Sequence, residues 1–193
     1  PLSFVAASIL SVSEDAIPLV TLMEDYKFFK RLFRHEFIFD HRKGDAEEVH
    51  EALAYLLDRG MVSGLEKDDE AWIEVKGKGR MYLRPYAGLI QNYIESYWVV
   101  TRGSSYLKKD MRTDKEFLKL VQKLGSRMFK KGEILRNEAQ SASNYQNAMK
   151  ALLDEEILKA VERKEKKETR TFYSLTESKG RLEALRQRIF RFL

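Results

Sequence analysis

The sequence has no cysteine, which excludes a disulfide framework and a thiolate-bound metal. Histidine is scarce as well, and His35, His41 and His50 do not form a tight cluster. We therefore expect no zinc site and no cofactor. The chain has only 3 prolines and 10 glycines, which argues against a disordered chain. No apolar run approaches the roughly 20 residues that a membrane-spanning helix needs.

What the sequence does have is charge of both signs. The 35 basic and 30 acidic residues leave a formal net charge of +5, which permits contact with nucleic acid or anionic lipid but requires neither. With 44% hydrophobic residues over 193 positions, the chain can bury a core in one domain or two small modules. It begins at Pro1 rather than at a methionine, so we expect a piece of a longer protein.

Apolar periodicity near the N-terminus predicts two helices. Apolar residues recur at intervals of three and four from Leu19 to Phe39, which predicts an amphipathic helix. Asp45, followed three residues later by Glu48, is typical of a capping box that opens a second helix. Gly60 then has the position of a residue that ends this helix.

The next segment predicts a β-hairpin and a long helix. Four polar residues, 67–70, separate apolar stretches, and the stretches Trp72–Val75 and Met81–Leu83 are interpreted as strands. From Tyr86 to Thr101 the apolar residues return to helical spacing.

The second half repeats this plan. Thr113 followed by Glu116 predicts a capped helix, and a further helix is predicted from Ser141 to Glu155. Residues 157–161 and 170–175 are rich in β-formers and predict a second hairpin. A last helix is predicted to begin after Thr176.

The repeat is visible in the residues ALAYLLDRGMV (Ala52–Val62) and AMKALLDEEIL (Ala148–Leu158). A helix followed by a β-hairpin is the order of a winged helix. The predicted fold is therefore mainly α with small β-hairpins (α+β), containing two winged-helix-like modules. We assign residues 1–43 to a helical N-terminal arm, 44–110 to the first module with a connecting helix, and 111–193 to the second module.

A winged helix raises the possibility of DNA binding through the helix that precedes each hairpin. In the first module that helix carries acids on its predicted solvent side, namely Glu47, Glu48, Glu51 and Asp58. In the second module four residues could read bases, namely Asn144, Gln146, Asn147 and Lys150. Because acids repel phosphates, and the second helix ends in three further acids, nucleic acid is not the expected partner.

The second predicted hairpin is the most basic stretch of the chain. Four cations lie within five residues and one follows shortly after: Arg163, Lys164, Lys166, Lys167 and Arg170. Such a cluster can contact an anionic membrane surface. Glu165 and Glu168 dilute the charge, so a solvated hairpin tip is the alternative interpretation. These five residues are the predicted anionic-surface contact.

One motif raises the question of catalysis, since His35 and Asp40 have the spacing of a His-x4-Asp pair. Five helical positions turn the chain by about 500°, so the two side chains would diverge by about 140°. The residues between them include Phe37, Ile38 and Phe39, and we expect Phe37 together with Phe39 or Ile38 to be buried. No phosphate-binding loop or nucleophile elbow is present. We therefore predict no catalytic residue.

A family resemblance is carried by several stretches that together cover most of the chain. The most specific is KKGEILRNEAQSASNYQNAMKALLDEEIL (Lys130–Leu158), and the closing residues KKETRTFYSLTESKGRLEALRQRIFRFL add to it. SFVAASIL (Ser3–Leu10), FIFD, ALAYLLDRGMV and YAGLIQNYIESYWVV (Tyr86–Val100) contribute further. By these stretches the chain resembles the C-terminal region of glycerol-3-phosphate acyltransferases, the membrane-associated family with bacterial and mitochondrial members.

The resemblance implies a function for a parent enzyme. Family members acylate the first hydroxyl of sn-glycerol 3-phosphate from acyl-CoA or acyl-carrier protein, which begins phospholipid synthesis. Their catalytic domain precedes this region and carries an Asn-His-x4-Asp block. His35 follows Arg34 instead of an asparagine, so no catalytic residue of the family carries over to this chain.

The expected role is therefore a non-catalytic C-terminal region, structural or regulatory. The resemblance implies the catalytic domain of the same enzyme as partner, and an anionic membrane surface is a further expected contact. We expect the parent at the cytoplasmic face of the membrane and this segment itself to be soluble. The alternative is a stand-alone winged-helix module that binds protein or DNA.

Overall fold

The computed structural model describes residues 1–108, 110–165, 168–176 and 179–193. Helices dominate this part of the chain: α1 (Leu2–Leu10), α2 (Leu19–Leu32), α3 (Asp45–Asp58), α4 (Gly79–Gly103), α5 (Asp114–Lys130), α6 (Ala142–Asp154) and α7 (Lys179–Phe190). Two short 3₁₀ helices occupy Ser104–Lys108 and Asn137–Gln140.

The strands form two small antiparallel sheets. They are β1 (Ala16–Pro18), β2 (Val62–Lys67), β3 (Glu70–Val75), β4 (Arg112–Thr113), β5 (Leu158–Glu165) and β6 (Glu168–Leu175). The first sheet has the order β1-β3-β2 and the second the order β4-β6-β5. The prediction of a mainly α fold with small β-hairpins is confirmed. The short strands β1 and β4 were not predicted, because two or three residues carry no readable alternation.

The chain divides into two compact units. Unit 1 comprises residues 1–91 with Phe192, and unit 2 comprises residues 92–191 with Leu193. The boundary at Gln91 lies within α4. The division into segments at residues 44 and 111 stays a prediction.

An aromatic cluster forms the core of unit 1. The ring of Phe4 lies 5.8 Å from that of Tyr26 and 5.4 Å from that of Phe29, measured between centroids. The ring of Phe192 lies 4.5 Å from that of Phe29. Burying several aromatic side chains in mutual contact supplies much of the stability that a unit of this size can have.

Helix α2 ends at Leu32 and not at the predicted Phe39. Phe37 and Phe39 are half-buried, with ring centroids 6.0 and 6.2 Å from Phe4, whereas Ile38 is fully exposed. On a helix, residues two positions apart point about 200° away from each other. Leaving the helix after Phe33 lets both phenylalanines reach the same core ring, and it turns Ile38 to solvent.

Of the predictions for the two ends of α3, the one for the N-terminus is wrong and the one for the C-terminus is confirmed. Its N-cap is Gly44, without a side-chain cap, so the predicted capping box at Asp45 and Glu48 is wrong. Gly60 has φ +62°, and its amide bonds the carbonyl of Leu57 at 2.9 Å. The Gly60 prediction is therefore confirmed, because this left-handed cap favours glycine.

Helix α4 begins at Gly79, so the predicted strand at Met81–Leu83 is wrong. A Cβ at Gly79 would overlap the carbonyl oxygen of Met61 and lie 2.8 Å from Val75 Cγ1, so only glycine lets the helix start this close to the hairpin. Pro85 lies inside the helix near its start, although proline more often marks a boundary. Leu83, fully buried, belongs to the helical core face.

The helix caps of unit 2 satisfy backbone groups with side chains. Thr113 Oγ1 accepts from the amide of Glu116 at 3.3 Å, and the Glu116 carboxylate accepts from the Thr113 amide at 2.9 Å. This is the predicted capping box, and it is confirmed. At the end of α6, Glu156 adopts φ +53°, and the amide of Ile157 bonds Leu152 O at 2.9 Å.

Two buried polar side chains of unit 2, Glu95 and Ser96, are paired with backbone groups. Ser96 Oγ donates to the carbonyl of Ala139 at 2.9 Å and accepts from Asn144 Nδ2 at 3.2 Å. The Glu95 carboxylate accepts from the amide of Arg136 at 2.8 Å. Burial raises the pKa of Glu95, against the lowering effect of backbone hydrogen bonds from Arg136 and Leu135.

Candidate anionic-surface site on the second hairpin

The β5–β6 ladder determines which predicted basic residues meet. Arg163 lies directly opposite Arg170, and Lys164 opposite Thr169. Arg163, Lys164 and Arg170 are all exposed. Like charges that face each other across a ladder are destabilising, so an anionic group placed between them would relieve this repulsion. Lys166 and Lys167, also predicted for this contact, lie outside the described residues.

The Arg163 side chain is positioned by an aromatic ring and by a thioether sulfur. Its guanidinium carbon lies 5.7 Å from the ring centroid of Phe172, and its Nη2 donates to Met111 Sδ at 3.3 Å. Within the described parts of the chain it has no carboxylate partner. An arginine positioned in this way keeps the remaining N–H groups at the edge of its guanidinium available to phosphate or carboxylate oxygens.

A cleft of about 1000 Å³ opens beside Arg170. It is bordered by the first turn of α5, by α6 and by β6, through Thr113, Asp114, Lys115, Glu116, Gln146, Met149, Lys150, Thr169, Arg170, Thr171 and Tyr173. Lys115 borders the same cleft as Arg170 and was not among the predicted site residues. The only signal for it was the predicted helix start at Thr113, which says nothing about what lies opposite.

The acids of the cleft are already engaged by nearby donors. Hydrogen bonds from the backbone and side chain of Thr113 hold the pKa of Glu116 below its usual value. Burial raises the pKa of Tyr173, and the charge and hydrogen bond of Asp114 raise it further. Lys115 and Lys150, in contrast, have no ion-pair partner among the residues that the structure describes.

Two residues that entered the argument about DNA binding, Glu48 and Asn144, are buried. Glu48, predicted on the solvent side of α3, is 5% exposed and accepts from Tyr26 Oη at 3.0 Å. It also pairs with Lys30, which reaches Asp45 at 2.9 Å as well. Asn144, considered as a base reader on α6, is buried against Ser96. Neither side chain is presented to a nucleic acid.

In the His-x4-Asp motif the Asp40 carboxylate is hydrogen-bonded to Arg42. Asp40 Oδ1 accepts from the amide and Nε of Arg42 at 3.0 and 2.9 Å, and Oδ2 accepts from Nη2 at 3.0 Å. These bonds lower the pKa of Asp40. His35 lies in the exposed turn that follows α2.

Neither a metal-binding cluster nor a membrane-spanning helix is present among residues 1–108, 110–165, 168–176 and 179–193. No three histidine, aspartate or glutamate side chains lie together in a way that could hold a metal ion. Of the helices in the described segments, none combines the length and the apolar composition that crossing a bilayer requires.

The fold and the site thus define a helix-rich region with two small three-stranded sheets and a basic hairpin. A family model described as glycerol-3-phosphate acyltransferase C-terminal region matches residues 1–161. The chain belongs to this family, which confirms the predicted resemblance and places its origin in an enzyme of phospholipid synthesis. No curated protein matches the chain.

Proposed function

We propose that this chain is a non-catalytic part of a glycerol-3-phosphate acyltransferase that braces or regulates the catalytic domain and contacts an anionic membrane surface. The parent enzyme would acylate sn-glycerol 3-phosphate from acyl-CoA or acyl-carrier protein. The observation that carries the non-catalytic role is the pairing of both Asp40 carboxylate oxygens with Arg42. A catalytic histidine needs such a carboxylate to orient its ring.

The order of elements supports the winged-helix interpretation of both modules. In unit 1 the order is α1, β1, α2, α3, β2 and β3. From α4 onward, β4, α5, α6, β5 and β6 repeat it, with the same strand order in the sheet. A helix pair followed by a hairpin, with a short third strand, is the arrangement of a winged helix.

Exposed apolar side chains in unit 1 support a protein partner. Tyr82 and Leu89 are 49% and 67% exposed and lie on one face of α4 with Tyr86, because their spacings are four and three residues. Tyr86 Oη is 3.0 Å from Tyr55 Oη on α3. Exposed apolar groups collected on one face are typical of interaction surfaces. The catalytic domain of the same enzyme is the proposed partner.

The basic hairpin supports the membrane contact. Arg163, Lys164 and Arg170 are brought together on an exposed ladder. Each basic residue near an anionic bilayer contributes about 1 kcal/mol. The enzyme's lipid product would be found at such a surface.

The test is an acylation assay with and without a catalytic domain. The purified chain alone should transfer no acyl group from acyl-CoA to glycerol 3-phosphate. It should bind the separately expressed catalytic domain of a family member and change its rate. Tyr82→Glu with Leu89→Glu should weaken that binding, whereas Val20→Glu, at another exposed apolar position, should not.

Two results would contradict the proposal. Acylation by this chain alone, abolished by His35→Ala, would show that it is catalytic. Unchanged binding of the Tyr82→Glu, Leu89→Glu variant would exclude this face of α4 as the contact.

A further inference from the structure

The second sheet has an edge that its own strands cover only in part. Strand β4 pairs with β6 at two positions, Arg112 with Tyr173 and Thr113 with Phe172. The chain then enters α5, whose first turn is closed by the Thr113–Glu116 capping box. Beyond Phe172, no described strand lies beside the outer edge of β6. Four residues of β6, 168–171, extend along this edge, a length of about 14 Å at the usual rise of a strand.

The hairpin register shows which backbone groups face that edge. Glu165 pairs with Glu168, with two residues between them, and the pair that closes a two-residue hairpin exchanges both of its hydrogen bonds. Bonding then alternates, so Glu168, Arg170 and Phe172 direct their amide and carbonyl groups toward β5. Thr169 and Thr171 direct theirs to the outer edge, as does Tyr173, which meets Arg112 there.

The same two threonines border the cleft of about 1000 Å³. A strand added at 4.7–4.9 Å from β6 would occupy this cleft. Thr169 and Thr171 would supply two amide donors and two carbonyl acceptors to it. Adding an extended peptide to a sheet edge gives affinity through such main-chain bonds and selectivity through the side chains around them.

Charge complementarity identifies the kind of peptide. Asp114 and Glu116 are already bound by Tyr173 and Thr113. Lys115 and Lys150 have no carboxylate partner within the described segments, and exposed Lys164 lies opposite Thr169 on the neighbouring strand. We propose that the outer edge of β6 binds an extended acidic peptide segment, which adds to the sheet in line with β4.

The experiment uses a synthetic probe and residue-level hydrogen exchange on the intact 193-residue chain. The probe is a labelled, acetylated hexapeptide that alternates glutamate with threonine, and the matched control replaces each glutamate with lysine. Binding of the acidic peptide, measured by fluorescence anisotropy, should be at least about tenfold tighter than that of the basic one, which is about the contribution of a single hydrogen bond to a charged group. The amides of Thr169 and Thr171 should exchange rapidly in the free chain and slowly with the acidic peptide bound.

N-methylated peptides test the strand geometry without changing the protein. Methyl groups on the three amides along one edge of the probe should abolish binding, because a strand directs alternate amides to opposite edges. Methyl groups on the other three should leave binding within about twofold. If both methylated probes bind alike, the strand mode is wrong.

Protein variants then test the site. Thr171→Pro removes one outward amide without touching the β5 ladder and should weaken binding about tenfold. Lys115→Glu with Lys150→Glu should do the same, whereas Lys76→Glu with Lys78→Glu in unit 1 should not. Thermal unfolding of each variant shows whether it is folded.

Besides equal binding of the two methylated probes, three outcomes would overturn the proposal. They are equal binding of the acidic and basic probes, no slowing of exchange at Thr169 and Thr171, and protection of these amides by phosphatidylserine vesicles but not by the peptide. The last would assign this edge to a lipid surface.

Discussion

The hydroxyl of Tyr145 lies where a side chain at position 125 would begin. A Cβ at Gly125, inside α5, would overlap Tyr145 Oη and lie 3.0 Å from Cζ and 3.4 Å from Val99 Cγ1. In most helix interiors Gly→Ala stabilises by about 0.5–1 kcal/mol. We expect Gly125→Ala to destabilise unit 2 by about 1–3 kcal/mol instead, because the core is overpacked. Urea unfolding measures the change.

Tyr145→Phe provides the control for this prediction. The Tyr145 hydroxyl is buried and makes no hydrogen bond within the described residues, so its removal alone should cost little. In the Gly125→Ala background it should restore part of the lost stability. Burial raises the pKa of Tyr145 to about 12, so the wild type loses stability from about pH 10 upward, and Tyr145→Phe should lose less. Additive free energies for the two substitutions would contradict the steric explanation.

The buried pair of Lys30 and Glu48 makes a second prediction. Lys30→Met leaves the Glu48 carboxylate, 5% exposed, without its cation. Removing one partner of a buried pair costs about 3–5 kcal/mol. The matched control is Lys43→Met, because Lys43 pairs with Glu51 at the surface and such pairs contribute about 0–1 kcal/mol. Equal losses of unfolding free energy for the two variants would show that burial of Glu48 does not matter.

The same pair predicts a loss of stability at high pH. Burial lowers the pKa of Lys30, but hydrogen bonds to Glu48 and Asp45 outweigh it and the net pKa is raised. Burial and the bond to Glu48 also raise the pKa of Tyr26. A raised pKa contributes stability that is complete below the unfolded value, about 10 for both types, and is lost as pH rises through the folded value. The unfolding free energy should therefore fall above about pH 10, and Lys30→Met should make that fall shallower.

Gly60 and Glu156 both end a helix in the left-handed conformation. We expect that replacing the glycine destabilises the protein and that introducing a glycine at position 156 stabilises it. Gly60→Ala forces a side chain into φ +62°, which costs about 1–2 kcal/mol. Glu156 already bears this strain at φ +53° and gains only an exposed ion pair with Arg181 at 2.7 Å. Glu156→Gly should therefore raise the unfolding free energy by up to about 1 kcal/mol, whereas Glu156→Ala should lower it. A loss of stability in Glu156→Gly equal to that in Glu156→Ala would show that the cap is not strained.

The basic hairpin predicts salt-sensitive binding to anionic vesicles. Replacing Arg163, Lys164, Lys166 and Lys167 together with glutamate should abolish co-sedimentation with phosphatidylserine vesicles, because each cation contributes about 1 kcal/mol at the surface. The control makes the same charge change at four exposed positions of unit 1, Lys27, Lys67, Lys78 and Arg84, and should bind better than the hairpin variant.

A titration with duplex DNA at matched salt distinguishes nucleic-acid binding from contact with an anionic membrane. If the chain binds DNA at least as tightly as it binds the vesicles, the nucleic-acid interpretation is favoured over the membrane interpretation. If neither ligand binds, the hairpin is a solvated tip.

Features that depend on a few neighbouring residues could be predicted from the sequence. The Thr113–Glu116 capping box and the Gly60 cap each join groups three or four positions apart, so their residue types suffice to identify them. The turn after β2 is another case. Asp68 and Asp69 both take positive φ there, as a two-residue hairpin loop requires.

Features that depend on distant residues could not be predicted. Asp45 and Glu48 have the spacing of a capping box. Both carboxylates instead bind Lys30, which lies 18 residues before Glu48. The end of α2 was misplaced because Phe4 attracts Phe37 and Phe39. Nothing local to either segment indicates such a partner.

The same distinction between neighbouring and distant residues applies to the candidate site. Arg163 and Lys164 are neighbours in sequence, and their cluster was evident from composition. Lys115 and Lys150 border the same cleft as Arg170 but come from three separate segments, so only the sheet register and helix packing bring them to one place.

The position of Phe192 has a consequence for how the chain is made. All three strands of the first sheet lie within the first 75 residues, so this sheet can form while the rest of the chain is still being synthesised. Its aromatic core cannot be finished then, because the ring that packs against Phe28 and Phe29 belongs to residue 192. Unit 1 therefore cannot close before Phe192 has been synthesised, and a ribosome-bound nascent chain that has not yet reached this residue would expose Phe28 and Phe29 to chaperones.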